Sequence, residues 1–235
     1  MALLVRTLGD VAGRLVGVVP GALLAGAAGV AGAVRRDKPL HPRGTLGAGT
    51  LRVEAPARRL GVPLLAEAAE HPVSARLSRA MGLPDTWRDI EGLALRLPGA
   101  GDDGGAADLL FAGTGTDPLA RFVLTLRPAG VHGPQSTLLP VRTAAGPLLL
   151  LAEPRDGLDL PEEWDLSWAL GRGPWTYVAR LTLAWTGGDV PERFDPVRRQ
   201  LAGTGQYPVV TAMREPAYLA ARAAARAQAD DPVEE

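Results

Sequence analysis

Histidine and cysteine, the side chains most often used for proton transfer, thiolate chemistry and transition-metal binding near neutral pH, are scarce in this sequence, and their spacing narrows the chemistry. There are three histidines, His41, His71 and His132, and no cysteine. Without thiols there is no disulfide framework, redox thiol or cysteine-built metal site. No H-x-x-x-H or H-E-x-x-H spacing links the histidines, which argues against a zinc centre. No G-x-S-x-G, phosphate loop or metal–carboxylate cluster is present either, so serine hydrolysis, nucleotide dependence and phosphodiester chemistry lack support. His41 stands apart because of its setting, D-K-P-L-H-P-R-G-T-L-G-A-G-T-L-R-V over Asp37–Val53. Pro39 and Pro42 hold the backbone extended around the ring, while Gly44, Gly47 and Gly49 allow close or left-handed turns. A stiffly presented imidazole is a candidate general acid–base group. His71 and His132 lie in Pro/Gly-flanked loops without evident partners and read as surface residues.

Positioning such a group requires a framework, and the texture of the chain supplies one. With 235 residues the chain is long enough for one domain with a full core. From Asp37 onward short apolar runs alternate with turn residues, 29 Gly and 21 Pro in the whole chain, which predicts many strands. The strand candidates are Thr50–Glu54, Val73–Leu77, Gly92–Leu97, Asp108–Ala112, Arg121–Leu126, Thr137–Val141, Pro147–Ala152 and Tyr177–Leu183, a set suited to antiparallel closure into a barrel. Helical turns are expected in Leu60–Glu70 and Ser78–Met81, and a helix in the alanine-rich Ala217–Ala229. Gly99–Ala106, G-A-G-D-D-G-G-A, reads as a flexible loop. The fold class is therefore α+β, mainly β. The chain divides into an apolar N-terminal helical segment (1–36), a barrel domain (37–229) and an acidic tail (230–235).

The uncharged stretch Leu15–Val34 is long enough to span a bilayer, but it is dominated by Ala and Gly and interrupted by Pro20. A packed or membrane-skimming hairpin around Pro20-Gly21 is the favoured reading. The following Arg35-Arg36 pair and the lack of cysteine argue against a secretory signal and for a cytoplasmic protein. Lys+Arg total 25 against 26 Asp+Glu, a net charge of -1, so no basic excess recruits nucleic acid.

Four segments, in order, resemble the haem catalase superfamily. His41-Pro42-Arg43-Gly44 with Gly49-Thr50-Leu51 and Val53 is similar to the distal-histidine segment. Val73-Ser74-Ala75-Arg76-Leu77-Ser78 is similar to the strand V-x-V-R-F-S. Asp85-Thr86-Trp87-Arg88-Asp89-Ile90-Glu91-Gly92-Leu93-Ala94-Leu95-Arg96 looks like D-T-x-R-D-x-x-G-F-A-[VL]-[KR], in which Arg88-Asp89 reads as a turn-stabilising ion pair. Arg214 and Tyr218 fit the R-x-x-x-Y of the proximal helix.

The resemblance implies a short catalase-like antiparallel barrel that binds haem and acts on hydrogen peroxide or an organic hydroperoxide. It assigns His41 to proton transfer and Ser78 to hydrogen bonding and orienting that ring. Arg76 would hold a haem propionate, as suits a guanidinium facing a carboxylate. Tyr218 would ligate the iron. A free phenol ionises only near about pH 10, so ferric charge and a cation such as Arg214, one helical turn earlier, would hold it deprotonated. Two departures are visible. Leu219, Ala220 and Ala221 follow the tyrosine where the family carries other residues. In Asp108-Leu109-Leu110-Phe111-Ala112-Gly113-Thr114, Ala112 or Gly113 replaces the distal asparagine of D-L-x-x-N-N-T. The alternative is a non-catalytic, haem-free binding or scaffold protein of the same fold, in contact with a membrane through its N-terminal segment. Self-association is expected by analogy with catalase-like proteins.

Overall fold

The computed structural model describes residues 43–84, 86–156, 159–188 and 194–208. His41, Arg214, Tyr218, Leu15–Val34, the Ala217–Ala229 helix and the acidic tail lie outside the described residues.

Ten strands follow in order: β1 (Arg43–Val53), β2 (Glu70–Arg79), β3 (Asp89–Leu97), β4 (Ala107–Gly113), β5 (Leu126–Arg127), β6 (Gln135–Ser136), β7 (Val141–Thr143), β8 (Gly146–Pro154), β9 (Glu163–Leu170) and β10 (Thr176–Trp185). Neighbours pair antiparallel in the order β2-β1-β10-β9-β8-β6-β4-β3, and β2 also pairs with β3, so these eight strands close into a barrel. β5 adds to the end of β3, and β7 forms a hairpin with β8.

Closure puts alternate residues inside. Leu51 and Val53 of β1, Val73, Ala75 and Leu77 of β2, and Leu93, Leu95 and Leu97 of β3 all enter one core, as do Trp164, Leu166 and Trp168 of β9. Two 3-10 turns, Arg58–Leu60 and Pro63–Leu65, cap the lower end and insert Leu60, Val62, Leu64 and Leu65 into that core. Residues 195–205 complete the wall beside β4: Arg199 accepts from the Asp108 N–H at 2.9 Å, and Leu201 is buried with the core. At Gly49 an added Cβ would sit 1.8 Å from the Thr182 carbonyl oxygen, so β1 can lie against β10 only with glycine there.

The mainly-β expectation agrees with this architecture, with several corrections. Arg121–Leu126 is not one strand: Arg121 and Phe122 end a 3-10 turn (Ala120–Phe122), Leu124 makes an isolated bridge to Thr114 and Leu126 opens β5, while the Arg121 guanidinium is buried. It donates to the Gly171 and Gly173 carbonyls at 3.1 and 2.9 Å and stacks on Trp175. Thr137–Val141 cannot be a strand, since Leu138 has φ 57; the short β6 and β7 flank it. β9 was not anticipated. Leu60–Glu70 holds 3-10 rather than α-helical turns, and Ser78 belongs to β2 instead of a helix. Arg88 is exposed, and the buried Asp89 carboxylate instead accepts from the Met81, Leu83 and Ile90 N–H groups at 3.0, 3.2 and 2.7 Å, with Arg79 at 4.0 Å. Among the described residues no helix is long and apolar enough to cross a membrane.

Candidate functional site

Arg76 and Ser78 alternate with the core residues Ala75 and Leu77, so they face outward from β2. Strand register extends Ser78 into a lateral row: Gly44 on β1, Ser78, Gly92 on β3, Ala112 on β4 and Ser136 on β6. No side chain in this row is larger than serine; Ser78, Gly92 and Ser136 are buried, and the Ser136 hydroxyl donates to the Arg121 carbonyl at 3.1 Å, so the chain around Arg121 covers the β6 end of the row. Ser78 is buried, and its hydroxyl donates to the Gly92 carbonyl at 3.3 Å. Arg76 lies one step along the wall, opposite Leu46 and Ala94. Its guanidinium crosses above Gly44, where an added Cβ would approach Cζ to 2.6 Å. Glycine at 44 therefore makes room for the cation beside the row.

The same geometry decides which residue stands where the resemblance expects a distal amide. Ala112 lies in the outward row with Ser78, whereas Gly113 pairs with Gln135 on the inward side. A methyl group, with no hydrogen-bond donor, occupies the outward position. Further along, Arg96 and Asp108 form a buried two-point ion pair at 2.7 and 2.9 Å, and the Asp195 N–H also donates to Asp108 at 2.7 Å. These groups anchor residues 194–200 to the wall.

A second cluster occupies the upper mouth, around a cavity of about 290 Å³ that reaches round the end of β2 as far as Ser78. Glu91 continues the inward set of Leu93, Leu95 and Leu97, which forces a carboxylate into the barrel end. It accepts from Gln135 Nε2 at 2.7 Å and pairs with His132 Nδ1. His132 Nε2 in turn lies 2.6 Å from the Asp159 carbonyl oxygen. The His132 and Glu91 side chains are only 11% and 10% exposed. Burial by itself would lower the His132 pKa, but the hydrogen bond and charge of Glu91, with the carbonyl and the carboxylate charge of Asp159, raise it above the ordinary value. Nearby, Arg127 Nη2 donates to the Thr114 and Pro134 carbonyls at 3.2 Å each, while among the described residues Nη1 has no partner. Burial lowers the Arg127 pKa, with Glu91 acting in the opposite sense.

His132 is therefore not a surface residue. Sequence reading missed it because its partners lie 41 and 27 positions away. The available signal was Glu91, an acid at the end of an otherwise apolar inward alternation, which needs a buried partner. His71, at the start of β2, is half-buried with its Nε2 unpartnered. It too departs from the surface reading.

No family model and no curated protein matches the sequence. Among solved structures, the fold is similar to that of a bacterial catalase, with a TM-score of 0.55 at 14% identity over 85% of this chain. The fold is catalase-like. This chain spans 60% of the length of that catalase chain, and the identity is too low to carry more than the architecture.

Of the side chains that the catalase resemblance assigns to the haem site, Arg76 and Ser78 are among the described residues, on the same outward face of β2. The Arg76 guanidinium over Gly44 has the planar donor geometry that suits a carboxylate.

Proposed function

We propose that the protein is a haem-dependent peroxidase acting on hydrogen peroxide or an organic hydroperoxide. The observation that carries this reading is the outward row of Gly44, Ser78, Gly92 and Ala112 flanked by Arg76, on a catalase-like barrel. Arg76 would hold a propionate, Tyr218 would ligate the iron as phenolate, and Arg214 would favour that ionised form. Haem, when bound, supplies the redox iron for peroxide chemistry. His41 would take the hydroperoxide proton and return it to the departing oxygen, with the Ser78 hydroxyl fixing the ring's tautomer.

Ala112 shapes the specificity within this reading. An alanine methyl cannot donate the hydrogen bond that a distal amide would give a second peroxide molecule. Reduction by an organic donor is therefore favoured over dismutation. The same residue supports a second reading, in which the barrel persists as a non-catalytic, haem-free binding protein. The two are separated by hydroperoxide turnover in haem-supplied protein. The enzyme reading expects donor oxidation that His41→Ala lowers by about a hundredfold or more, the scale of a lost acid–base group. Turnover equal in wild type and variant would overturn it.

A further inference from the structure

The His132 ring lies between two oxygen acceptors, which sets it apart from a catalytic imidazole with one nitrogen open to substrate. On Nδ1 is the Glu91 carboxylate of β3, and on Nε2 is the backbone carbonyl of Asp159. Neither acceptor carries a proton of its own when Glu91 is ionised. An imidazolium has two N–H groups and satisfies both oxygens; a neutral imidazole has one. Whichever neutral tautomer forms, a nitrogen lone pair then faces an oxygen lone pair in a partly buried site, and one of the two bonds is lost.

We propose that His132 is a pH-operated latch on the upper mouth of the barrel. As imidazolium it ties the loop between β5 and β6 to β3 and to residues 159–160, and on deprotonation it releases them and opens the cavity behind. Gly130, Val131 and His132 of that loop, Asp159 and Leu160 all line this cavity, so the latched segments form its wall. Gly130 has φ +70 and Val131 is half exposed. The loop therefore has a backbone pivot and little buried apolar surface to hold it shut without His132.

The surrounding charges leave His132 as the group that switches. On β3, Glu91 faces the ring and Asp89 is held by three N–H groups. On β2, Arg79 stands opposite Glu91 in register but donates to the Trp87 carbonyl at 2.6 Å and lies 4.0 Å from Asp89. On β5, Arg127 is committed through Nη2 to the Thr114 and Pro134 carbonyls, and Asp159 offers its carbonyl while its carboxylate also favours the imidazolium by charge. The sign follows from the raised folded-state pKa. The latch is fully engaged below the ordinary histidine value of about 6.5 and is lost as pH rises through the higher folded value.

The test pairs imidazole NMR titration of the full chain with amide hydrogen exchange, corrected for intrinsic rates, from about pH 5 to about pH 9. Wild type is expected to lose about tenfold of its protection in residues 128–134 over the same interval in which His132 titrates, and His132→Gln to show no such step. Protection that is constant while His132 titrates, or a step that survives in His132→Gln, would overturn the proposal. Should His132→Gln not fold, Glu91→Gln retains the ring and removes its carboxylate charge. The step must then move to lower pH, and an unmoved step would sink the idea. Neither measurement depends on haem or on turnover.

Discussion

Ser78 and Gly92 face one side of the barrel wall, and their neighbours Leu77 and Glu91 face the other. Two clusters of opposite character thus share the same strand ends. Outside is a row of small residues with one guanidinium over its Gly44 end; inside is a partly buried network of carboxylate, imidazole and amide. The row's side chains make few bonds that the barrel needs, whereas the mouth network joins β3, β6 and two loops. The difference teaches where substitutions should be felt. Outer changes should alter binding with little loss of stability, and inner changes should alter stability and mouth dynamics.

The largest effect is expected where the two sides share backbone. Gly49→Ala would drive a methyl group into the Thr182 carbonyl, with no flexible side chain to yield. A loss of more than about 3 kcal/mol is expected, seen as early denaturant unfolding with both clusters lost together. Next, Glu91→Ala removes the carboxylate that pairs with His132 and accepts from Gln135. It should cost about 3 kcal/mol, or roughly 6–12 °C in melting temperature, without changing haem affinity. Gly44→Val reverses that pattern. Its Cβ meets the movable end of Arg76, so the barrel should melt within about 2 °C of wild type while haem affinity falls about tenfold, the scale of one displaced charged hydrogen bond. Equal losses of stability in Gly44→Val and Glu91→Ala would break the comparison. The smallest effect is pH-dependent: His132→Gln should cost about 1 kcal/mol near about pH 6 and nothing near about pH 9, measured by urea unfolding at each pH.

The outer face was legible in sequence because its information is local. Alternation in V-S-A-R-L-S puts Val73, Ala75 and Leu77 on one side and Ser74, Arg76 and Ser78 on the other, and the structure keeps that division. Whether Ala112 or Gly113 stands in the row with Ser78 required register across three strands, which spacing alone does not supply. The mouth was illegible for the same reason, since His132 becomes buried only when residues 91 and 159 converge on it. Arg121 misled in another way: within the apolar run R-F-V-L it reads as a strand residue, but its buried guanidinium is satisfied by carbonyls from the β9–β10 turn. For β9 the local signal is the alternation that turns Trp164, Leu166 and Trp168 inward.

The central claim, that the outer row is one wall of a haem site, is tested most directly by the optical spectrum of the full chain expressed with ample haem, beside Arg76→Leu and Tyr218→Ala. The account predicts a Soret band in wild type, weaker retention of haem in Arg76→Leu, and a shifted or diminished band in Tyr218→Ala. A wild-type chain that binds no haem, or a spectrum identical in all three proteins, would contradict it.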